Sequence, residues 1–181
     1  PSGSSIIAKF NFRKNAKNLN IGYFGSLYES RGLNLLISLA KIDKKNNYYV
    51  YGNTKQLKNL IAKKNIKNLN IKNYIPYKEI PKTLMNMEVL LMPYVSNITA
   101  AGDFGDITRF TSPLKLFDYL SVGRVILCSN YSVLHEILKN KKNAIFIENY
   151  RNVFAWKREI EKLANQKEKM LIISKNNFIY S

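Results

Sequence analysis

The chain has 181 residues, 46% of them hydrophobic and 12% aromatic, which is enough apolar surface for the core of one domain. Its single cysteine, Cys128, excludes an internal disulfide. No apolar run predicts a membrane-spanning helix, and the first five residues do not resemble a signal peptide. The formal net charge of +17 leaves two explanations open, an anionic partner or a lysine-rich composition spread along the chain.

Strand and helix patterns alternate along the chain with short connections. We predict strands at 19–25, 47–51, 71–75, 89–92, 125–128 and 144–148. Helices are predicted at 32–42, 54–64, 80–87 and 113–122, in a short segment at 133–138, and twice near the C-terminus. This alternation predicts an α/β fold, a Rossmann-like parallel sheet with helices on both faces. We expect 1–18 to be an interdomain connection and 19–181 to form the domain.

The connection after the first predicted strand is rich in glycine and polar residues. It reads Gly25-Ser26-Leu27-Tyr28-Glu29-Ser30-Arg31-Gly32. Glycines at both ends allow a tight turn and a close approach of the backbone to a ligand. Arg31 carries a planar guanidinium that can pair with a diphosphate. In a parallel sheet, this loop and those after the next strands face one crevice.

The most informative segment joins a predicted helix to a buried strand. Ser112 can cap the helix, Pro113 suits its first position, and Gly123 ends it. The helix start, including the amide groups from Ser112 to Leu114, favours an anion, and Lys115 and Asp118 share one helix face. The long preceding loop, 94–111, carries Asp103, Asp106 and Arg109 as charged candidates for a functional flap.

The segment Ser112-Pro113-Leu114-Lys115-Leu116-Phe117-Asp118-Tyr119-Leu120-Ser121-Val122-Gly123 resembles the nucleotide-sugar-binding motif of glycosyltransferase family 4, the retaining GT-B enzymes. Asp118 stands where that family has a glutamate that binds the donor ribose. Phe110 replaces a further acid that often contacts the donor sugar. The glycine loop is also similar, with Arg31 at its second basic position and Ser26 in place of the first.

The resemblance implies the C-terminal, donor-binding half of a GT-B enzyme. Its donor would be a nucleoside diphosphate sugar, with Arg31 and Lys115 on the diphosphate and Asp118 on the ribose. The exit of the third strand, Pro76 and Tyr77, would contact the base, and the long loop would cover the sugar. No metal or cofactor is implied.

The resemblance also sets expectations for the whole enzyme. The acceptor site would belong to an N-terminal domain outside this chain, so the isolated domain would be inactive or weakly active. We expect a cytoplasmic enzyme of glycan or polysaccharide biosynthesis, at the inner face of a membrane. Its expected partners are a lipid-linked glycan acceptor and an anionic membrane surface, with no nucleic acid.

Two alternatives remain open from the residues. A sugar-nucleotide epimerase shares the GT-B architecture. A basic module that binds nucleic acid or a membrane would account for the charge without any nucleotide-sugar chemistry. We expect His135 and Trp156 to have structural roles, the first at a helix surface and the second in the core.

Overall fold

The structure is a computed structural model that describes residues 10–13, 16–27, 29–54, 65–94 and 114–180. Six strands form one sheet in the order β3-β2-β1-β4-β5-β6, and every neighbouring pair is parallel. The strands are β1 Asn20–Phe24, β2 Asn47–Tyr51, β3 Leu69–Lys72, β4 Val89–Met92, β5 Val125–Ser129 and β6 Ala144–Ile147. The predicted Rossmann-like architecture is confirmed.

The described part of the chain contains five α-helices and three short 3-10 helices, and the last two α-helices follow β6. The α-helices are α1 Leu33–Ile42, α2 Ile80–Leu84, α3 Leu114–Ser121, α4 Val153–Asn165 and α5 Lys167–Tyr180. The 3-10 helices are Glu29–Arg31, Tyr77–Glu79 and Ser132–Glu136. The predicted helix at 54–64 lies almost wholly outside the described residues. Among described residues, no helix combines the length and apolarity needed to cross a bilayer.

The strands alternate their side chains between two hydrophobic cores, one on each face of the sheet. One core joins residues such as Ile21, Tyr23 and Val50 to the buried faces of α1 and α4. The other joins Phe24, Leu90 and the residues of α2 and α3 that face the sheet. Because β4 and β5 are covered on both faces, every residue of these strands is buried. The two layers of helices therefore fix the carboxyl ends of the central strands.

Three predicted elements differ from the structure by more than two residues or in type, and one of them is α2, which ends at Leu84 rather than at residue 87. The third strand is Leu69–Lys72 rather than 71–75, because pairing with β2 sets Tyr48 opposite Leu69 and Tyr51 opposite Lys72. Tyr74 and Ile75 consequently follow the strand. The predicted helix at 133–138 is the 3-10 helix Ser132–Glu136. A turn ends it early, since the backbone N–H of Lys139 donates to the side chain of Asn143 over 2.6 Å.

Two glycines have positive φ angles where the fold needs close packing. Gly32, with φ +83°, precedes α1, and a Cβ there would lie 1.9 Å from the carbonyl oxygen of Pro93. Gly123, with φ +58°, follows α3, as the sequence predicted, and a Cβ there would lie 2.8 Å from the Cβ of Phe178. At these two positions, before α1 and after α3, the backbone conformation and the close packing therefore require glycine.

The segment 10–13 lies against the amino-terminal edge of the sheet. Arg13 makes a two-pronged ion pair with the buried carboxylate of Glu88, with donor–acceptor distances of 2.7 and 2.9 Å. Glu88 also accepts the backbone N–H of Asn20 at 2.7 Å, which ties this segment to β1. The ring of Phe10 contacts that of Phe178 on α5, with centroids 5.4 Å apart.

Candidate functional site

Two positively charged side chains meet beyond the carboxyl ends of β1 and β4. Lys115, in the first turn of α3, places its Nζ 4.4 Å from the ring centroid of Tyr23 and 5.1 Å from that of Tyr94. Arg31, at the end of the β1–α1 connection, places its Cζ 5.3 Å from the same Tyr94 ring. The structure thus brings together the two cations that the sequence selected from separate segments.

Lys115 is held in an environment that disfavours its charge. The ammonium is packed among aromatic rings, and this desolvation, together with the nearby charge of Arg31, lowers the pKa of Lys115 to about 7. Burial raises the pKa of Tyr94 to about 12, and Arg31 opposes that rise. An anion placed beside both cations would offset the charge of Arg31 and raise the pKa of Lys115 again. The pair is therefore electrostatically suited to an anionic ligand.

The loop after β1 is held in place by hydrogen bonds that leave space for Lys115. The Gly25 N–H donates to the Tyr51 carbonyl at 2.9 Å, and the Tyr23 hydroxyl donates to the Ser26 carbonyl at 2.7 Å. A Cβ on Gly25 would lie 3.3 Å from the Nζ of Lys115, so a side chain there would crowd the ammonium. Ser26 is partly buried in this turn. Gly25 and Ser26 shape the site through their backbones.

A cavity of about 170 Å³ adjoins Lys115 and extends towards the edge of the sheet. Asp118, one turn after Lys115, lines the same cavity, so the predicted pair does share one accessible face. The remaining walls are mostly apolar or aromatic: Phe24, Gly25, Tyr51, Tyr74, Ile75, Ile80, Leu84 and Tyr119. The cavity can therefore hold a flat, largely apolar group next to a carboxylate and an ammonium.

The floor of the cavity is a rigid aromatic group. Phe24 and Tyr51, the last residues of β1 and β2, stack with centroids 4.5 Å apart and an interplanar angle of 9°. The hydroxyl of Tyr119 on α3 accepts the Phe24 N–H at 3.0 Å, so α3 is fixed to the end of β1. This contact sets the distance between the helix that carries Lys115 and Asp118 and the strand ends.

The exit of the third strand contributes different residues from those predicted. Among the described residues, Tyr74 and Ile75 line the cavity, whereas Pro76 and Tyr77, which follow directly and begin a 3-10 helix, do not. The reason is the shift of β3, which ends at Lys72 and brings the next residues to the sheet edge. Tyr74 is 60% exposed and forms the outer wall. Pro76 and Tyr77 are thus neighbours of the cavity wall rather than part of it.

Several predicted residues lie outside the described residues or have only their backbone described. Asp103, Asp106, Arg109, Ser112 and Pro113 belong to the first group. Leu114 begins α3, and nothing is described of its side chain. Gly32 is described, and it packs against the backbone of Pro93 rather than beside Lys115.

Sequence reasoning missed the aromatic residues that surround the two cations. Tyr23, Phe24, Tyr51, Tyr94 and Tyr119 come from four separate elements or their ends, and a linear pattern cannot bring them together. One signal was present. Phe24 and Tyr51 lie at or next to the ends of two predicted strands, and Tyr94 follows a third by two residues. Residues in such positions meet at one edge of a parallel sheet.

Other residues with reactive side chains have structural surroundings. Trp156 is fully buried and donates to the Tyr150 carbonyl at 2.8 Å, as the core role predicted. His135 lies on an exposed 3-10 helix, where its ring stacks on Phe146 with centroids 4.3 Å apart. Burial raises the pKa of Cys128. No group of three or more metal-ligating side chains occurs among the described residues.

The family is shown by comparison with known proteins. The family model "Glycosyl transferases group 1" matches residues 5–178. The chain therefore belongs to the group 1 glycosyl transferases. A search of curated protein sequences finds no significant match.

Solved structures confirm the fold. HepE of Anabaena, solved in complex with UDP, has a TM-score of 0.71 at 12% identity over 90% of this chain and 43% of its own. TarM of S. aureus, solved with UDP among its ligands, has a TM-score of 0.72 at 17% identity over 97% of this chain and 34% of its own.

A third structure is a separate domain. The C-terminal domain of the group 1 glycosyl transferase LpcC of Francisella tularensis has a TM-score of 0.67 at 14% identity, and the match covers 90% of this chain and 83% of that one. The chain spans less than half of the HepE and TarM chains and most of the LpcC domain. Its fold is that of the Rossmann-like domains in GT-B glycosyltransferases. The family match favours neither the epimerase nor the basic binding module.

Proposed function

We propose that this chain is the donor-binding domain of a retaining family 4 glycosyltransferase that uses a nucleoside diphosphate sugar. One observation carries the proposal: Lys115 and Asp118 line one cavity, and Arg31 shares the Tyr94 ring with Lys115. The two cations come first, then the carboxylate, and then the apolar walls of the cavity. A nucleoside diphosphate has its groups in the matching order of diphosphate, ribose and base.

The diphosphate would bind between Arg31 and Lys115. Bringing two cations together and desolvating one of them costs free energy in the empty site, as the lowered pKa of Lys115 indicates. A dianion removes that repulsion and restores the charge of Lys115. We predict Ser112, Pro113 and Leu114 at the same helix start, where Ser112 and Leu114 would supply N–H groups and Pro113 would fix the backbone. We assign them a supporting role on the same phosphate groups.

The nucleoside would occupy the cavity. The carboxylate of Asp118 can accept hydrogen bonds from both ribose hydroxyls. The base would enter between the Phe24 end of β1 and the loop that carries Tyr74 and Ile75. The peptide groups of Ile75, which lines this wall, would hydrogen-bond the edge of the base. Pro76 and Tyr77 would support that loop from behind.

The chemical role of this domain is electrostatic. As the bond between sugar and diphosphate breaks, negative charge grows on the leaving phosphate, and Arg31 and Lys115 would stabilise it without any reorganisation of water. Asp103, Asp106 and Arg109 are the candidates on the loop that would cover the sugar. The acceptor, which we propose to be a lipid-linked glycan in a cytoplasmic pathway of polysaccharide synthesis, would bind a further domain.

Thermal stability with nucleotides tests the proposal. A ligand at a hundred times its dissociation constant stabilises the folded chain by about 2.7 kcal/mol. We expect one of UDP, GDP and ADP, or its sugar, to raise the melting temperature of the parent chain. Lys115→Ala and Asp118→Ala should each remove most of that shift. Lys82→Ala, which removes an exposed lysine from α2, is the matched control and should keep it.

The same experiment can contradict the assignment. If Lys115→Ala binds nucleoside diphosphate as tightly as the parent chain, the diphosphate site lies elsewhere. If Lys82→Ala loses as much of the shift as Lys115→Ala, the interaction is a general attraction to positive charge.

A further inference from the structure

The outer face of α5 exposes large aliphatic side chains. Ile172 is 58% exposed and Ile179 is 80% exposed, and both lie on the strip of the helix turned away from the two cores. They are seven residues apart, so they are two turns apart on the same side of the helix. Burying such side chains is favourable, so this strip suits contact with an apolar phase.

One lysine lies on this strip, and three more belong to a turn that is joined to the helix. Lys175 lies between them on the same strip and is exposed. The side chain of Asn176 donates to the carbonyl of Lys142 at 2.7 Å, which fixes the turn 139–142 beside the helix. Three exposed lysines belong to that turn: Lys139, Lys141 and Lys142. Glu168, one turn before Ile172, is the acidic residue of the strip, so the local charge is strongly positive.

We propose that this lysine-isoleucine patch, formed by Ile172, Lys175, Ile179 and the turn 139–142, binds the surface of an anionic membrane. Interfaces between proteins are depleted of lysine, whereas lysines near an anionic bilayer add to its attraction. Lysines can also extend their charged ends to lipid headgroups while neighbouring aliphatic side chains enter the region below. The combination of exposed isoleucines and lysines therefore fits lipid better than a protein partner.

The patch lies at the end of the sheet opposite to the donor cavity. The turn 139–142 precedes β6, and α5 contacts Gly123 and Arg124 just before β5. The cavity lies beyond the carboxyl ends of β1 and β2. Substitutions in the patch should therefore leave nucleotide binding unchanged, and this inference stands or falls separately from the proposed function.

Co-sedimentation of the 181-residue chain with lipid vesicles tests the inference. The probes are vesicles of equimolar phosphatidylcholine and phosphatidylserine, compared with pure phosphatidylcholine vesicles. We expect binding to the anionic vesicles alone. Ile172→Ser with Ile179→Ser should weaken it by about tenfold, since two partly inserted aliphatic side chains are lost. Phe154→Ser, which removes a 61% exposed ring from α4, is the control and should change it less than twofold.

A charge-matched pair separates the patch from the net charge of the chain. Lys142→Glu with Lys175→Glu should weaken vesicle binding by at least tenfold more than Lys78→Glu with Lys82→Glu, which changes the net charge equally outside the patch. Equal losses in both pairs would contradict the patch and leave a diffuse attraction. Failure of the parent chain to bind anionic vesicles at low salt would also overturn the inference.

A protein partner is the remaining outcome. If the parent chain is a dimer and the double isoleucine variant is a monomer, the patch joins two copies and the lipid proposal is wrong. If the longest natural form of the protein does not bind the vesicles although the 181-residue chain does, another part of the protein covers the patch.

Discussion

Lys115 joins the local structure of α3 to the chemistry of the site. Its backbone position follows from the helix, and its Nζ lies between the rings of Tyr23 and Tyr94 because Gly25 has no side chain to occupy that space. The aromatic faces attract the cation, but the loss of water and the charge of Arg31 disfavour it. The second effect is larger, since the pKa of Lys115 is lowered to about 7.

The lowered pKa predicts how donor binding depends on pH. A bound diphosphate would raise the pKa of Lys115 above about 7, so binding takes up a proton when the pH exceeds that value. Affinity for a nucleotide sugar should be highest below about pH 7 and fall by up to roughly tenfold per unit above it, until the pKa of the complex is reached. Calorimetric titration in buffers of different ionisation enthalpy measures both the affinity and the proton uptake.

Lys115→Arg is the control for this titration. Arginine keeps its charge throughout this range, so the affinity of the variant should not change with pH. An unchanged pH dependence in Lys115→Arg would assign the titration to another group. In the empty chain the sign is opposite: a lysine whose pKa is lowered by folding reduces stability when protonated. Its contribution to the free energy of unfolding therefore rises from about pH 7 up to its ordinary pKa of 10.5.

Gly32 gives a second prediction at this scale. Gly32→Ala should lower the free energy of unfolding by about 2 kcal/mol or more, because the added Cβ meets the carbonyl oxygen of Pro93 and the φ angle is positive. Urea denaturation measures the loss. Ser38→Ala on the exposed face of α1 is the control and should change stability by less than about 0.5 kcal/mol. A loss below about 0.5 kcal/mol in Gly32→Ala would show that the close contact with Pro93 relaxes easily.

At the scale of single elements, capping determines where α4 begins. The Asn152 side chain accepts the backbone N–H of Phe154 at 2.9 Å. Asn152→Ala should reduce the free energy of unfolding by about 1 kcal/mol. Asn152→Ser should keep most of the stability of the parent chain, because serine can also cap the helix. Asn149→Ala, three residues earlier and also exposed, is the matched control for urea denaturation. A loss in Asn149→Ala equal to that in Asn152→Ala would exclude the cap as its cause.

The elements that could be predicted from sequence are those whose apolar pattern fits either a strand or a helix but not both. β2 and β4 have the predicted bounds, and β1, β5 and α1 differ from prediction by one residue at one or both ends, because these strands are mostly buried and α1 has one clear apolar face. β3 could not be placed because it is a short edge strand. Its register comes from pairing with β2, and Ile75 is apolar since it lines the cavity rather than the sheet.

The same distinction applies to the candidate site. Arg31, Lys115 and Asp118 could be selected from the sequence because each stands in a local motif of glycines or helix-start residues. Tyr23 and Tyr94 could not, because their contact with Lys115 depends on two strands and a helix meeting at one edge. Local chemistry therefore indicated the charged groups, and tertiary packing supplied the buried aromatic environment that lowers the pKa of Lys115.

At the scale of the whole molecule, the charge of +17 opposes folding. Among the described residues, the surface pairs Lys157–Glu161 and Lys162–Glu159 offset little of this repulsion, since they are partly exposed. The melting temperature should therefore rise when NaCl increases from about 0.01 to 0.15 M, over which the screening length falls from about 30 to 8 Å. Differential scanning calorimetry measures the change.

A variant with fewer positive charges tests the cause of this salt effect. Lys67→Gln, Lys78→Gln and Lys82→Gln together remove three exposed lysines away from the described ion pairs. The combined variant should show a smaller rise of melting temperature with NaCl. If its rise equals that of the parent chain, salt acts through something other than repulsion among the lysines.

A crystal structure of the chain with its stabilising nucleoside diphosphate tests the central claim most directly. We predict the base between Phe24 and the Tyr74–Ile75 wall, the ribose hydroxyls on Asp118, and the diphosphate between Lys115 and Arg31. A nucleotide bound at another surface, with Lys115 and Asp118 making no contact to it, would contradict the proposed donor site.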